Sequence, residues 1–204
     1  MASLKKKGLV LLSGGIDSAV TLWWVLKQGW ELSTLTFLFP GRRRKELWAT
    51  KKLSIQAKSK ENYEIPLPFI DSPRSEEACY IPQKNLMYYG VAASLAKKIH
   101  ADFILGGHHK SDGIVFPDAQ KKYLQSLNKL IGMETRSSHT VQLKFPFIEL
   151  TKEKIIQLGD KLNVPFQYTW SCSKDQLKPC ENCNSCSERK KGFKAASIED
   201  PLFA

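Results

Sequence analysis

The chain has no apolar run near the roughly 18 residues needed to cross a bilayer. Its opening, Met1-Ala2-Ser3-Leu4-Lys5-Lys6-Lys7, lacks the apolar stretch and the cleavage site of a secretory signal. No membrane role and a cytoplasmic location are therefore expected. No Gly-Lys-Ser/Thr follows a glycine-rich turn, which excludes a Walker nucleotide site, and the Gly-x-Gly-x-x-Gly fingerprint is also missing. Acidic residues are few, 20 Asp and Glu against 31 Lys and Arg, for a formal charge of +11. That balance suits polyanionic ligands in general and leaves a nucleotide and an RNA undecided. Lys5-Lys6-Lys7, Arg42-Arg43-Arg44-Lys45 and Arg189-Lys190-Lys191 read most simply as solvated surface. Cysteine is scarce, five in 204 residues, and a structural disulfide set is disfavoured in the cytoplasm.

What is present begins with Ser13-Gly14-Gly15-Ile16-Asp17-Ser18, set between the apolar runs Leu9-Val10-Leu11-Leu12 and Ala19-Val20-Thr21-Leu22-Trp23-Trp24. The order reads as strand, turn, helix. Two adjacent glycines permit positive φ and a close backbone approach to a ligand, while Ser13, Ser18 and the free N–H groups of a helix start can donate to phosphate oxygens. Asp17 would repel a bare phosphate, which suggests a magnesium-bridged polyphosphate or an orienting hydrogen bond to the loop. A helix start capped by Asp17 or Ser18 is the plainer alternative, and both stay open.

Apolar patterning predicts strands at 8–12, 32–39, 63–67 and 102–106 with an extended piece at 141–145. Helices are expected at 18–28, 43–57, 85–99, 118–131 and from a Thr151 cap to about 162, before Pro165. The stretch holding Pro66, Pro68, Pro73 and Pro82 should be irregular. Alternating strands and helices argue for a parallel α/β sheet with helices on both faces, and ligands in such sheets lie beyond the strands' carboxyl ends. There 13–18, 39–44 and 106–118 would converge.

Beyond residue 165 the composition changes. Cys172, Cys180, Cys183 and Cys186 give the spacing C-x7-C-x2-C-x2-C. Four thiolates make a closed tetrahedral zinc site, structural because no position remains for water. An iron–sulfur cluster and free thiols are the alternatives. Cys79 stands alone and reads as a small buried residue. The division expected is 1–165 as a nucleotide-binding domain and 166–204 as a four-cysteine zinc module packed on it.

The hexapeptide resembles the Ser-Gly-Gly-x-Asp-Ser signature of the PP-loop ATP pyrophosphatases. That resemblance implies an adenine-nucleotide α-hydrolase-like, Rossmann-like sheet. It also implies cleavage of ATP between its α and β phosphates, with AMP passing to a carboxylate or carbonyl oxygen. Together with the cysteine module, the chain resembles the 7-cyano-7-deazaguanine synthase (QueC) family of queuosine and archaeosine biosynthesis. Tyr80-Ile81-Pro82-Gln83-Lys84-Asn85 is similar to its Tyr-Val-Pro-x-Arg-Asn, and Asp112 with Phe116-Pro117-Asp118 to its Asp-x-x-x-Tyr-Pro-Asp. Thr169-Trp170-Ser171-Cys172 and the run from Cys180 through Arg189 to Gly192-Phe193 are similar to its closing segment.

The resemblance implies that Leu11, Leu12, Ser13, Gly14, Gly15, Ile16, Asp17, Ser18 and Ala19 hold the nucleotide. Catalysis falls to Asp17, Ser18, Arg42, Lys84, Asp112 and Asp118. Substrates would be ATP with Mg2+, 7-carboxy-7-deazaguanine and ammonia, with one structural Zn2+ per chain, a homodimer, and no direct tRNA contact. Arg42 and Lys84 would offset charge between two anions, Asp112 or Asp118 would accept from a guanine-like N–H edge, and Phe116 or Tyr80 would stack on the base. Asp118 as a cap of the following helix and Phe116 as core are the plain alternatives.

The chain departs from the family where it has Phe39-Pro40-Gly41-Arg42-Arg43-Arg44-Lys45-Glu46 for Tyr-Gly-Gln-Arg-His-x-x-Glu, Lys84 for Arg, and Ala119-Gln120 for Cys-Arg. These changes put the identity of the activated acid in doubt. A PP-loop enzyme adenylating another carboxylate or a tRNA base, of the thiolation or lysidine type, is the alternative. A zinc-ribbon adaptor that has kept a nucleotide fold is a further one. His108-His109 reads as a loop pair touching nucleotide or substrate rather than a metal site.

Overall fold

The central strands are buried on both sides because both faces of the sheet are covered. The computed structural model describes residues 5–70, 81–133 and 139–203. In chain order its elements are β1 (Lys7–Leu11), α1 (Ile16–Lys27), β2 (Glu31–Leu38), α2 (Arg44–Gln56), β3 (Asn62–Pro66), α3 (Lys84–Lys98) and β4 (Phe103–Leu105). There follow α4 (Asp112–Val115), α5 (Lys121–Gly132), β5 (Gln142–Lys144), α6 (Lys152–Lys161) and α7 (Asn184–Ala196). The strands are all parallel in the order β3-β2-β1-β4-β5. Side-chain alternation divides the apolar residues cleanly. Val10, Phe103 and Leu105 join α1, α6 and α7 in one cluster, whereas Leu9 and Ile104 join α3 and α5 in the other.

The chain lays down β1, β2 and β3 outward in one direction, then crosses through α3 to β4 on the other side of β1. The order reverses between β1 and β4, and at such a point the flanking loops diverge and leave a crevice at the carboxyl ends. Ser13 to Ser18 follows β1 there, and Gly106-Gly107 follows β4.

Three local expectations change. The helix expected at 118–131 begins at Lys121, after a 3-10 turn at Pro117–Ala119. Asp118 does not cap it; its carboxylate accepts from Asn85 N at 2.9 Å, and Asn85 Nδ2 donates to Asp118 O at 3.1 Å. The turn is thus tied to the start of α3 and cannot run on as helix. Next, the cysteine segment, read only for its metal-ligand spacing, ends in helix α7. Cys186, Arg189, Phe193 and Ala196 form its buried stripe, and Phe193 and Ala196 enter the same apolar cluster as α1 and α6. Third, Arg189 is not surface. Its side chain is 1% exposed and grips Asp200 at 2.6 and 2.8 Å through Nε and Nη2, with Nη1 on Thr169 Oγ1 at 2.7 Å. Lys190 and Lys191 do face outward, against Glu181 and Glu188. The readings on Cys79 and Tyr80 lie outside the described residues.

Candidate active site

The turn after β1 uses only one of its two glycines for its special freedom. Gly14 sits at φ +92, and a Cβ there would fall 2.7 Å from Glu46 O, so only hydrogen fits. Gly15 has φ −82 and is the N-cap of α1, without a side-chain cap bond; neither Asp17 nor Ser18 caps the helix. The two serines brace the turn from within. Ser18 Oγ donates to Gly15 O at 3.0 Å and accepts from Ser13 N at 3.3 Å, while Ser13 Oγ accepts from Gly15 N at 3.2 Å. The first N–H groups of α1 have no partner within the helix and lie at its positive end. Leu11, Leu12, Ser13, Asp17 and Ser18 line a cavity of about 310 Å³. Ile16 and Ala19 are instead core, packed beneath the turn.

Two cations close on this loop. Lys152 Nζ donates to both Asp17 oxygens, at 2.7 and 2.5 Å, with each side chain about a quarter exposed (26% and 25%). Lys152 was not among the residues read from sequence. A signal was there, since a lysine in the first turn of α6 opposes the helix dipole and asks for a reason. Arg42 is 5% exposed; Nη1 donates to Phe37 O, Nη2 to Ser13 O at 3.0 Å, and Nε stands 3.6 Å from Glu46 Oε2. Burial pushes Arg42 below its ordinary range, with Glu46 opposing. Burial likewise pushes the Tyr88 phenol up to about 12 and raises Tyr89, so both line the cavity as neutral groups.

A second cavity of about 200 Å³ adjoins the first and shares Lys84, Asn85 and His108 with it. Ile81, Asp112, Phe116, Asp118 and Ala119 complete its lining. Lys84 Nζ lies 5.7 Å over the Phe116 ring. Asp112 Oδ2 accepts from His109 N at 3.0 Å and Oδ1 lies 3.3 Å from His109 Nε2, while His108 Nδ1 stands off at 3.8 Å. Burial would raise Asp112, but His108 and His109 outweigh it and hold the carboxyl below the usual range. His109 Nδ1 accepts from Ser111 N at 3.2 Å, which puts the proton of the neutral ring on Nε2, facing Asp112. His109 is therefore a buried brace, and His108 is the member of the pair that reaches both cavities. All six residues expected to be catalytic fall on these two cavities.

The four cysteines meet elsewhere. The sulfurs of Cys172, Cys180, Cys183 and Cys186 all lie within 4.8 Å of one another. A four-thiolate zinc tetrahedron with Zn–S of about 2.3 Å has edges of about 3.8 Å, so the set fits a metal. Backbone N–H groups already point at the sulfurs: Lys174 and Cys180 to Cys172 at 3.4 and 3.3 Å, Ser173 and Cys186 to Cys183 at 3.5 and 3.4 Å. Burial would raise the Cys183 thiol, yet these bonds bring it down to about 6; burial sends Cys186 up to about 12.

A doubly wound parallel sheet with the serine–glycine turn at its switch point defines a PP-loop α/β fold with a C-terminal cysteine cluster. The fold agrees with a solved 4-thiouridine synthetase–RNA complex with bound ATP, at a TM-score of 0.55 and 18% identity, covering 94% of this chain and 50% of that one. The particular family follows from sequence. The model for "Queuosine biosynthesis protein QueC" matches residues 7–197, and the chain belongs to that family. Similar curated relatives include the 7-cyano-7-deazaguanine synthases of Archaeoglobus fulgidus and a Nitratiruptor species. The first is 31% identical over 97% of this chain and 90% of its own length, the second 33% over 96% and 97%.

Proposed function

We propose that the chain converts 7-carboxy-7-deazaguanine and ammonia to 7-cyano-7-deazaguanine, consuming ATP through adenylated intermediates. The observation that carries this reading is the pair of joined cavities. One is floored by the Ser13 to Ser18 loop and Arg42, the other is walled by an aromatic ring and carboxylates, and the two meet at Lys84 and His108.

In the first round the carboxylate oxygen bonds the α phosphorus and pyrophosphate leaves, giving an acyl adenylate. Arg42 and Lys84 lower the repulsion between the two anions, and Lys152 can swing from Asp17 to the departing phosphates. Ammonia then bonds the acyl carbon, AMP leaves, and one proton is lost. In the second round the amide oxygen bonds the α phosphorus of a second ATP, pyrophosphate leaves and one proton is lost; AMP then departs with loss of another proton as the C≡N bond forms. His108, the imidazole lining both cavities among the described residues, is the group placed to accept these protons. Magnesium, when bound, neutralises phosphate charge, and Asp17 offers it a hard oxygen beside the loop. Zinc would be held by Cys172, Cys180, Cys183 and Cys186 and would stabilise the fold, with no open position for chemistry.

The test is mass spectrometry of base and nucleotide after incubating the protein with magnesium ATP, ammonium and 7-carboxy-7-deazaguanine. Nitrile and AMP are the expected products. An unchanged base beside bound ATP would retire this substrate and direct attention to another acid or to a tRNA base, with Gly41, Arg43, Ala119 and Gln120 as the altered positions.

A further inference from the structure

We propose that Arg43 is a positioning residue that couples the thiolate metal site to the nucleotide site, so that each ligand strengthens the hold on the other. The inference rests on the reading of the Ser13 to Ser18 loop as a nucleotide site and of the four cysteines as a metal site.

The cysteine segment is bonded to both loops that shape the larger cavity. Trp170 N donates to Gly14 O at 2.8 Å, and its indole Nε1 to Cys172 O at 3.1 Å. The Ser173 backbone is held at both its N–H and its carbonyl. Its N–H points at Cys183 Sγ, and its carbonyl accepts from Arg43 Nε. Arg43 then reaches Glu46 Oε1 at 3.2 Å, and the other oxygen of Glu46 faces Arg42 Nε at 3.6 Å. Arg42 ends the path on Ser13 O. A thiolate sulfur is thereby connected to the Ser13 to Ser18 loop through the backbone of one residue and three side chains. Arg44 adds a parallel tie, its N and Nε on Asp175 at 3.1 and 3.0 Å, but that arginine is exposed and the pair correspondingly weak.

The planar fork of Arg43 is what permits one side chain to serve a carbonyl and a carboxylate at once; a lysine presents a single point charge. A metal that fixes Cys183 fixes Ser173, and Ser173 fixes the turn that aims Arg42. Coupling between two binding sites is reciprocal by thermodynamic necessity, which makes it measurable from the metal's side without any turnover.

The experiment uses the full chain loaded with zinc. The rate of zinc transfer to a coloured chelator is followed with and without a saturating magnesium-bound non-hydrolysable ATP analogue, whose affinity is measured by calorimetry. In the wild type the analogue should slow zinc release about tenfold, a tightening of zinc affinity within the 5–150-fold span of coupled sites and carried by the off-rate. Arg43→Ala should keep one zinc per chain and a cooperative melt, bind the analogue about tenfold more weakly, and release zinc at a rate the analogue no longer changes. Arg43→Lys, which keeps the charge but not the fork, should behave like Arg43→Ala and serves if the alanine variant does not fold. Equal protection by the analogue in wild type and in a folded Arg43 variant overturns the coupling alone, since release then runs through global unfolding. Failure of the analogue to bind the wild type overturns the nucleotide reading and the coupling together.

Discussion

Lys152 illustrates what a single side chain can carry unseen. It meets Asp17 across 135 positions of chain, so no local spacing could join them, whereas the loop holding Asp17 was legible because its turn, hydroxyls and helix start are contiguous. With the pair a quarter exposed, little folding stability rests on it. Lys152→Ala is expected to melt like the wild type and to lose about 10²–10³-fold in kcat, the usual cost of one transition-state donor, measured as pyrophosphate release. Gly14→Ala differs in kind. Positive φ costs a side chain about 1–2 kcal/mol, the Cβ also meets Glu46 O, and a fall of at least roughly 2–8 °C in the melting temperature should follow. Asp112 adds a pH signature. Its carboxyl is held below its ordinary value by His108 and His109 once burial is overcome, so its stabilisation is complete above the unfolded pKa of about 3.9 and fades as pH falls through the lower folded value. The melting-temperature gap between wild type and Asp112→Asn should accordingly be widest above about pH 4 and close on further acidification.

Elements were readable where burial is simple. β1 and β4 carry short continuous apolar runs and β2 is buried from Leu32 to Phe37 because both sheet faces are covered, while α3 buries the stripe Asn85, Tyr89, Ala92, Ala96. The misreadings came where two constraints share residues. In α7 the stripe Cys186, Arg189, Phe193, Ala196 is helical in spacing, but metal-ligand spacing and a lysine–arginine run overlay it. At Asp118 the helix signal was real, yet the carboxylate serves α3 from outside, a contact 33 positions away. Asp118→Ala leaves a buried N–H of α3 without its acceptor and should cost about 1–3 kcal/mol, read by denaturant unfolding. Asp118→Asn keeps an acceptor oxygen and should cost less.

At the scale of the whole molecule, the cysteine segment is bound into the core through Phe193 and Ala196 and into the sheet's loops through Trp170. Metal removal should therefore loosen more than its own neighbourhood. Four-thiolate zinc contributes about 10 kcal/mol or more at neutral pH, and 1 kcal/mol moves a chain of this size by roughly 2–4 °C, so a chelator should lower the melting temperature by more than about 10 °C and added zinc restore it. Cys180→Ser should show the same loss of stability with no selective effect on kcat. The sheet order has one more consequence, for synthesis. β1 occupies the middle of the sheet, and its second neighbour, β4, begins at Phe103. At 5–20 residues per second the ribosome needs roughly 5–20 s to travel from the end of β1 to β4. Throughout that interval the strand that leads into the Ser13 to Ser18 loop keeps one edge unpaired, an opening for non-native strand pairing until Phe103–Leu105 is made.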